Sequence, residues 1–387
     1  MIRRPPRSTQ GVSSAASDVY KRQLENSLDA GANQIGVEIV EGGAKSILVR
    51  DDGLGIHKDD IELAMSRHAT SKIKSADDLF DIDGFGFRGE ALASIASVSR
   101  FSISSKTADS DIGWELVSEG GQVVSFKPRS QTIGTRVLVE DLFFNTPVRQ
   151  KFLKAERTEN RQIEGVLLRL SLANLGVGFA LKGTTAKEKL LVPNYTEDRL
   201  KLAFGGGFMS EAIFLDVEAN GLSLRGWIGH PNLNRRWADQ QFFYVNGRPV
   251  RDKLIGHAVK QAYSDVMFHG RHPVFALFLD LPRDSVDVNV HPTKHEVRFR
   301  EQRTVHDFLF GTLNKTLREI RPSNQLQPGS IQEPTNHFKY VDRQAEHSLE
   351  LPIDTVSVLE TPEVRDEISI NIGLSKGSPA LGYAIGQ

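Results

Sequence analysis

The chain has no cysteine. That removes disulfides, thiolate nucleophiles and Cys-ligated zinc from consideration, and it leaves the redox compartment open. Also missing is any apolar run near the ~20 residues that a membrane span requires. Neither sign of charge predominates, since 48 Lys and Arg against 49 Asp and Glu leave a formal net charge of −1. A diffuse electrostatic grip on nucleic acid is thereby excluded, and any basic surface has to be local. What remains is an ordinary globular composition, 39% hydrophobic and 25% charged over 387 residues. That length suits two or three domains, each large enough to bury its own core.

The chemistry gathers on Arg50-Asp51-Asp52-Gly53-Leu54-Gly55-Ile56. The alternating run 36–49 predicts a strand leading into it, and a helical pattern over 58–66 follows. A carboxylate at a strand exit can accept a hydrogen bond from an exocyclic amine, and two glycines let a flat ring lie close to the backbone. Asp-Gly pairs are also ordinary turn residues, so the neighbours decide. Upstream, Leu24-Glu25-Asn26-Ser27-Leu28-Asp29-Ala30-Gly31 predicts a helix end with Leu24 and Leu28 inward and Gly31 as its stop. Asn26 falls opposite the core, either as a plain helix residue or as an amide oxygen for Mg2+ beside phosphates. Downstream come Arg67-His68-Ala69-Thr70-Ser71-Lys72-Ile73 and then Gly84-Phe85-Gly86-Phe87-Arg88-Gly89-Glu90-Ala91-Leu92. The second contains a literal G-x-G-x-x-G. The acidic segment before it is no parallel strand and no βαβ unit frames it, so a dinucleotide fold is rejected. The pattern predicts a glycine-rich loop opening into a helix over 90–98, where free amides and Arg88 would attract an anion. A tight loop before a core helix would have the same composition. Thr135 opens a strand around Val137 and Val139, and either contacts a bound base or is merely β-branched strand.

Strands are expected over 100–105, 114–117 and 122–127, then a long helix led by Arg149, Lys151 and Lys154 and running to Ala173. From Leu191 the texture changes to short strands over 212–218, 222–228 and 241–245 and a turn at Asn246-Gly247-Arg248. A helix over 251–267 carries Arg251, Lys253 and Lys260, for which a solvated face is the simplest account. Strands over 274–281 and 286–290 precede His291-Pro292-Thr293-Lys294-His295. Two histidines four apart suggest a metal, but Pro292 argues against a helix there and no third ligand is evident, so zinc is set aside. A helix over 304–320 closes the core, and residues 321–375, rich in Pro, Gln, Glu and Ser, predict a disordered linker. The segment 1–23 has four arginines and four serines but a single acid, Asp18. It is expected to be a foreign or disordered leader outside the fold, with the native frame beginning at Leu24.

Glu25-Asn26-Ser27, Asp51-x-Gly53-x-Gly55, Arg67 to Lys72, Gly86 to Leu92 and Gly134-Thr135 through Pro147 together resemble the MutL family of DNA mismatch-repair proteins. That family shares an ATPase fold with DNA gyrase, a heat-shock chaperone and histidine kinases. The resemblance implies an α+β fold: a two-layer α/β sandwich with a mixed, mostly antiparallel sheet over 24–190, then a smaller α/β domain over 191–320. Residues 376–387 resemble the opening of the family's C-terminal dimerisation domain, which makes the chain a fragment by expectation. ATP and Mg2+ are the implied cofactors. Asp51 would hold adenine, Asn26 the metal, and Gly86, Phe87, Arg88 and Gly89 the phosphates. Asp29, Gly53, Gly55, Ile56, Thr70, Ser71, Lys72 and Thr135 would complete the nucleotide site, and Lys294 would meet the terminal phosphate. Arg248, Arg251, Lys253 and Lys260 fall where relatives present a DNA groove. The implied partners are DNA, a mismatch-recognition protein, strand-incision or helicase proteins and a second copy of the full-length chain, in the bacterial cytoplasm at the nucleoid and not at a membrane. A topoisomerase-like ATPase fits the motifs less well, and a non-hydrolysing DNA scaffold is the alternative of another class. One departure favours that scaffold. Relatives read Lys-Glu-Leu-Val-Glu-Asn-Ser here, with the first glutamate as general base, and this chain has Arg22 at that position.

Overall fold

The computed structural model describes residues 15–66, 84–85, 89–183, 189–287 and 297–319. Its first helix, α1 (Ala15–Asp29), leads into β1 (Gln34–Val40) and β2 (Ser46–Asp51). The single strand expected over 36–49 is therefore an antiparallel hairpin. Glu41, Gly42 and Gly43 all take left-handed φ values, of 52°, 64° and 86°. Three such residues reverse the chain, and the alternation on either side survives because each arm keeps its own register. Then follow α2 (Lys58–Ala64), α3 (Ala91–Ala96), β3 (Arg100–Lys106), β4 (Gly113–Glu119), β5 (Gln122–Arg129) and β6 (Gly134–Glu140). Next come α4 (Pro147–Gln150), α5 (Glu156–Ala173), β7 (Gly178–Gly183) and β8 (Lys189–Leu191). The long helix expected up to Ala173 is broken between α4 and α5. Ala155 is extended, and the Lys154 amide donates to Glu159 Oε1 at 3.0 Å instead of continuing the helix.

The strands form one eight-stranded sheet in the order β5-β4-β3-β6-β2-β1-β7-β8, antiparallel except where β1 lies parallel to β7. This is the mixed, mostly antiparallel sheet with helices that the family resemblance implied. Alternate residues point to the helices: Ile35, Val37 and Ile39 on β1, Ile47 and Val49 on β2, Phe101 and Ile103 on β3. They pack with Leu24 of α1, Ile61 of α2, Ile95 of α3, and Ile163 and Leu167 of α5 in one core.

The second domain adds α6 (Thr196–Phe204), α7 (Phe208–Glu211), β9 (Ala212–Ala219), β10 (Leu222–Gly229), β11 (Asn234–Arg235), β12 (Gln241–Val245) and β13 (Arg248–Val250). It continues with α8 (Lys253–Ala262), β14 (His272–Pro273), β15 (Phe275–Asp280), β16 (Val286–Asp287), β17 (Arg298–Phe299) and α9 (Gln302–Glu319). Its main sheet runs β13-β12-β15-β10-β9, with β12 parallel to β15. β12 is apolar without a break because both its faces are covered. Phe243 and Val245 face α8 and α9, whereas Phe242 and Tyr244 join α6, α7 and Leu172 of α5. The helix expected over 251–267 is shorter. Asp252 caps α8 by accepting from the Leu254 and Ile255 amides at 2.8 and 3.3 Å, which leaves Arg251 outside it.

The expectation that residues 1–23 stand outside the fold is corrected from Ala15 onward. Residues 15–23 form the first half of α1, with Ala16 and Tyr20 fully buried and Gln23 only 2% exposed. Their polar atoms fit the core poorly, for neither the Tyr20 hydroxyl nor either end of the Gln23 amide has a hydrogen-bond partner. Burying an unpaired amide costs about 1–3 kcal/mol. The motif that this stretch resembles has leucine at that position, of similar size. Gln23→Leu is therefore expected to stabilise the chain by about 1–2 kcal/mol, read as a higher urea midpoint at unchanged slope. An unchanged midpoint would mean that the amide is satisfied by solvent.

Candidate nucleotide site

Asp51 ends β2, and three donors converge on its carboxylate. The Gly53 and Thr135 amides reach Oδ1 at 3.1 and 3.2 Å, and the Ser27 hydroxyl reaches Oδ2 at 2.8 Å. Three elements thus meet at one side chain: β2, the N-terminal end of β6, and α1. Burial raises the Asp51 pKa most; the three hydrogen bonds pull it down and the neighbouring Asp52 raises it slightly, with a net rise. Asp52 has a separate task, accepting from the Asn33 and Gln34 amides at 2.7 and 2.8 Å and so tying the start of β1 to the end of β2.

Backbone approaches closely around this carboxylate. A Cβ on Gly53 would lie 2.7 Å from the Ala30 carbonyl oxygen, and one on Gly55, at φ 76°, would lie 2.3 Å from that of Lys106. The Leu54 amide donates to Ala30 O at 3.0 Å, so the glycine turn lies directly against the end of α1. The Ile56 amide donates to Ser105 Oγ at 2.7 Å, and Ser105 Oγ is 2.9 Å from Thr135 Oγ1. Asn26 sits half-buried on α1, next to Ser27. Asp29, the last residue of α1, accepts from the Phe85 amide at 2.8 Å. It thereby holds the first residues of the glycine-rich segment. Arg22 lies one turn before Asn26, pairs with Asp18 at 2.9 Å, and shares a cleft with Glu90 and Ser94 of the α3 region.

Asp51, Gly53, Gly55, Ile56, Thr135, Asn26 and Asp29 are thus brought together. Thr70, Ser71, Lys72, Gly86, Phe87, Arg88 and Lys294 lie outside the described residues, as do His291, His295, the start of the leader and everything from residue 320. Three contributors were not singled out from sequence. Ser27 stands within a quoted motif but its hydroxyl carried no signal. Ser105 is one serine of a strand. Gly134, at φ 116°, is required because a Cβ there would lie 2.0 Å from Asp51 O.

Comparison with known proteins resolves the family. A profile described as histidine kinase-, DNA gyrase B- and HSP90-like ATPase matches residues 17–123, and one described as DNA mismatch repair protein, C-terminal domain, matches 200–318. The solved structure of the Aquifex aeolicus MutL ATPase domain complexed with ADP is similar at 30% identity and TM-score 0.52, over 70% of this chain and 93% of that one. The chain belongs to the MutL family. The DNA mismatch repair protein MutL of Pseudomonas putida is 52% identical over 323 residues, 82% of this chain and 51% of that protein. The MutL of Pseudomonas paraeruginosa is 47% identical over 96% of this chain and 58% of its own length. The chain spans about half the length of these curated relatives. The match to MutL proteins extends through the second domain, where the four expected DNA-contacting residues divide. Arg251, Lys253 and Lys260 are exposed at and along α8. Arg248 is half-buried, and its Nη2 donates to Gly84 O at 2.7 Å. Its guanidinium is turned to the first domain and is not presented with the other three, because β13 begins at Arg248, before the chain reaches the exposed end of α8.

Proposed function

We propose that this chain is the nucleotide-binding part of a DNA mismatch-repair matchmaker, in which ATP with Mg2+ drives an assembly on DNA. The observation that carries the proposal is the Asp51 carboxylate, oriented by Ser27, Gly53 and Thr135 beneath a turn kept clear of side chains by Gly53 and Gly55. A carboxylate has lone pairs left after three bonds, and one of them suits an adenine amine. Asn26 would give Mg2+ one oxygen, the remaining ligands being phosphate oxygens and water, as this cation prefers. Among the described residues no group of three or more His, Cys, Asp or Glu could hold a metal, which is compatible with a cation brought by its nucleotide. Lys294 would meet the terminal phosphate as a point charge, and Thr70, Ser71, Lys72 and Gly86 to Gly89 would line the phosphates. That the similar Aquifex domain is complexed with ADP supports the same class of ligand. In the full-length protein, a homodimer would close on DNA and signal between mismatch-recognition and strand-incision or helicase partners at the bacterial nucleoid. Among the described residues no helix is long and apolar enough to cross a membrane.

Asp51→Asn turns one acceptor into a donor facing the adenine amine, at a cost of about 1–3 kcal/mol in ATP affinity by calorimetry. Equal affinities would remove Asp51 from the site. Stability should move the other way. Because burial raises the folded pKa above the ordinary 3.8, ionisation costs more in the folded chain than in the unfolded one. That cost is fully present above the folded pKa and absent below the unfolded value. An asparagine does not ionise and can satisfy the same three neighbours, so Asp51→Asn is expected to melt at an equal or higher temperature at pH 7, with the advantage fading as pH falls through the raised folded pKa and gone below the ordinary 3.8.

DNA would be held through phosphates by Arg251, Lys253 and Lys260. Affinity should fall steeply with salt and show little sequence preference, and Lys253→Glu should weaken it and flatten the log–log salt slope by about 1. A salt-independent affinity would return α8 to a plain solvated face. Arg22 favours a second reading, a scaffold that binds nucleotide without turnover, and phosphate release separates the two.

A further inference from the structure

The turn joining β12 to β13 is stiff. Asn246 and Gly247 both take left-handed φ values, 47° and 75°. The Asn246 side chain clamps Leu281 from two sides, its Nδ2 donating to Leu281 O and its Oδ1 accepting from Leu281 N, each at 3.0 Å. The Asn246 amide adds a third bond, to Leu279 O at 3.0 Å. The turn is therefore pinned to the end of β15, and Arg248 leaves it from a fixed origin. Its Nη2 donates to Gly84 O at 2.7 Å, a short charge-assisted bond in a half-buried setting. One residue on, the Phe85 amide donates to Asp29 Oδ1 at 2.8 Å. The peptide at 84–85 is thus held from two directions. On one side is α1, which carries Asn26 and Ser27; on the other is the second domain, where Arg251 and Lys253 follow Arg248 closely. Little slack exists, since a Cβ on Gly84 would stand 3.1 Å from the Asp29 carboxylate.

We infer that Arg248 is a positioning residue of the nucleotide site, through which nucleotide occupancy at α1 and the 84–85 peptide is transmitted to the β12–β13 turn of the second domain. The inference rests on the nucleotide reading above and needs no hydrolysis. Coupling of this kind is reciprocal: if the turn feels the nucleotide, weakening the link weakens nucleotide binding.

The test uses the whole chain with ATP and Mg2+ in two measurements. First, amide hydrogen exchange across residues 243–250 of the unmodified chain is compared with and without nucleotide. Exchange is expected to slow by at least about fivefold on binding, and unchanged exchange at saturating ATP overturns the inference. Second, Arg248→Ala is expected to bind ATP on the order of tenfold more weakly and to lose the added protection at 243–250. A merely structural role would lower its melting temperature while leaving the ATP-induced protection in place, and that result also overturns the inference. If Arg248→Ala does not fold, the first measurement decides alone. Failure of the nucleotide reading itself looks different, because the unmodified chain would then show no ATP binding by calorimetry.

Discussion

Arg22→Glu is expected to release phosphate from ATP about 10²–10⁴-fold faster than the unmodified chain, the usual contribution of one positioned general base. Arg22 occupies the helical position one turn before Asn26, and a guanidinium cannot accept a proton from water near neutral pH. Its Nε is engaged with Asp18 at 2.9 Å, an exposed pair whose loss costs little. Glu25 does not stand where the resemblance puts the general base. It pairs with Lys21 at 3.5 Å, and residues four apart on a helix, such as Arg22 and Asn26, point in directions about 40° apart, whereas Glu25 stands next to Asn26 and about 100° from it. The comparison is phosphate release by the unmodified chain, by Arg22→Glu, and by a version with a family-like N-terminus. If the unmodified chain turns over as fast as Arg22→Glu, the base lies elsewhere. Asp18 and Glu90 line the same cleft as Arg22, so Asp18→Asn and Glu90→Gln would then identify it.

The largest loss of stability is expected at Arg199, the bulkiest fully buried side chain among the described residues. It lies on α6 and donates to four carbonyls: Ser171 O, Asn174 O at 2.8 Å, Val177 O, and Val192 O at 3.2 Å. Those carbonyls belong to the end of α5, the approach to β7 and the segment after β8. One guanidinium thereby satisfies the orphan acceptors of a helix terminus at the seam between the domains. Burial lowers its pKa, as expected for a cation that has no carboxylate among these partners. Arg199→Ala would strand the carbonyls in an apolar cavity, and a loss of about 4 kcal/mol is expected in urea unfolding. Arg199→Lys should recover only part of it, since an ammonium has three donors and no planar fork. A loss below about 1 kcal/mol would mean that water replaces the guanidinium.

The same seam explains an expectation that the structure refined. The long apolar run of β12 promised a strand, but only the fold shows that Phe242 and Tyr244 serve one core and Phe243 and Val245 another. The hairpin inside 36–49 was similarly hidden, because Gly42 and Gly43 interrupt an alternation that otherwise continues at the same period. The first half of α1 was hidden for a different reason. Residues 15–23 lack a convincing apolar face by type, yet Ala16, Val19, Tyr20 and Leu24 still recur at helical spacing and are drawn into the core.

By itself the sequence pointed to the residue types of the candidate site and, through the family resemblance, to the class of the fold. Asp51 with Gly53 and Gly55 at a strand exit, and Asn26 a short way upstream, are local patterns whose meaning depends on residue type and spacing, and those are legible in one dimension. The tertiary structure alone decided which groups orient them. Ser27, Thr135 and Ser105 come to Asp51 and Ile56 from α1, β6 and β3 across 24 to 84 residues of chain. Arg248 reaches Gly84 across 164. Nothing in local periodicity encodes such pairings, because they follow from the order of strands in the sheet and from the packing of one domain against the next.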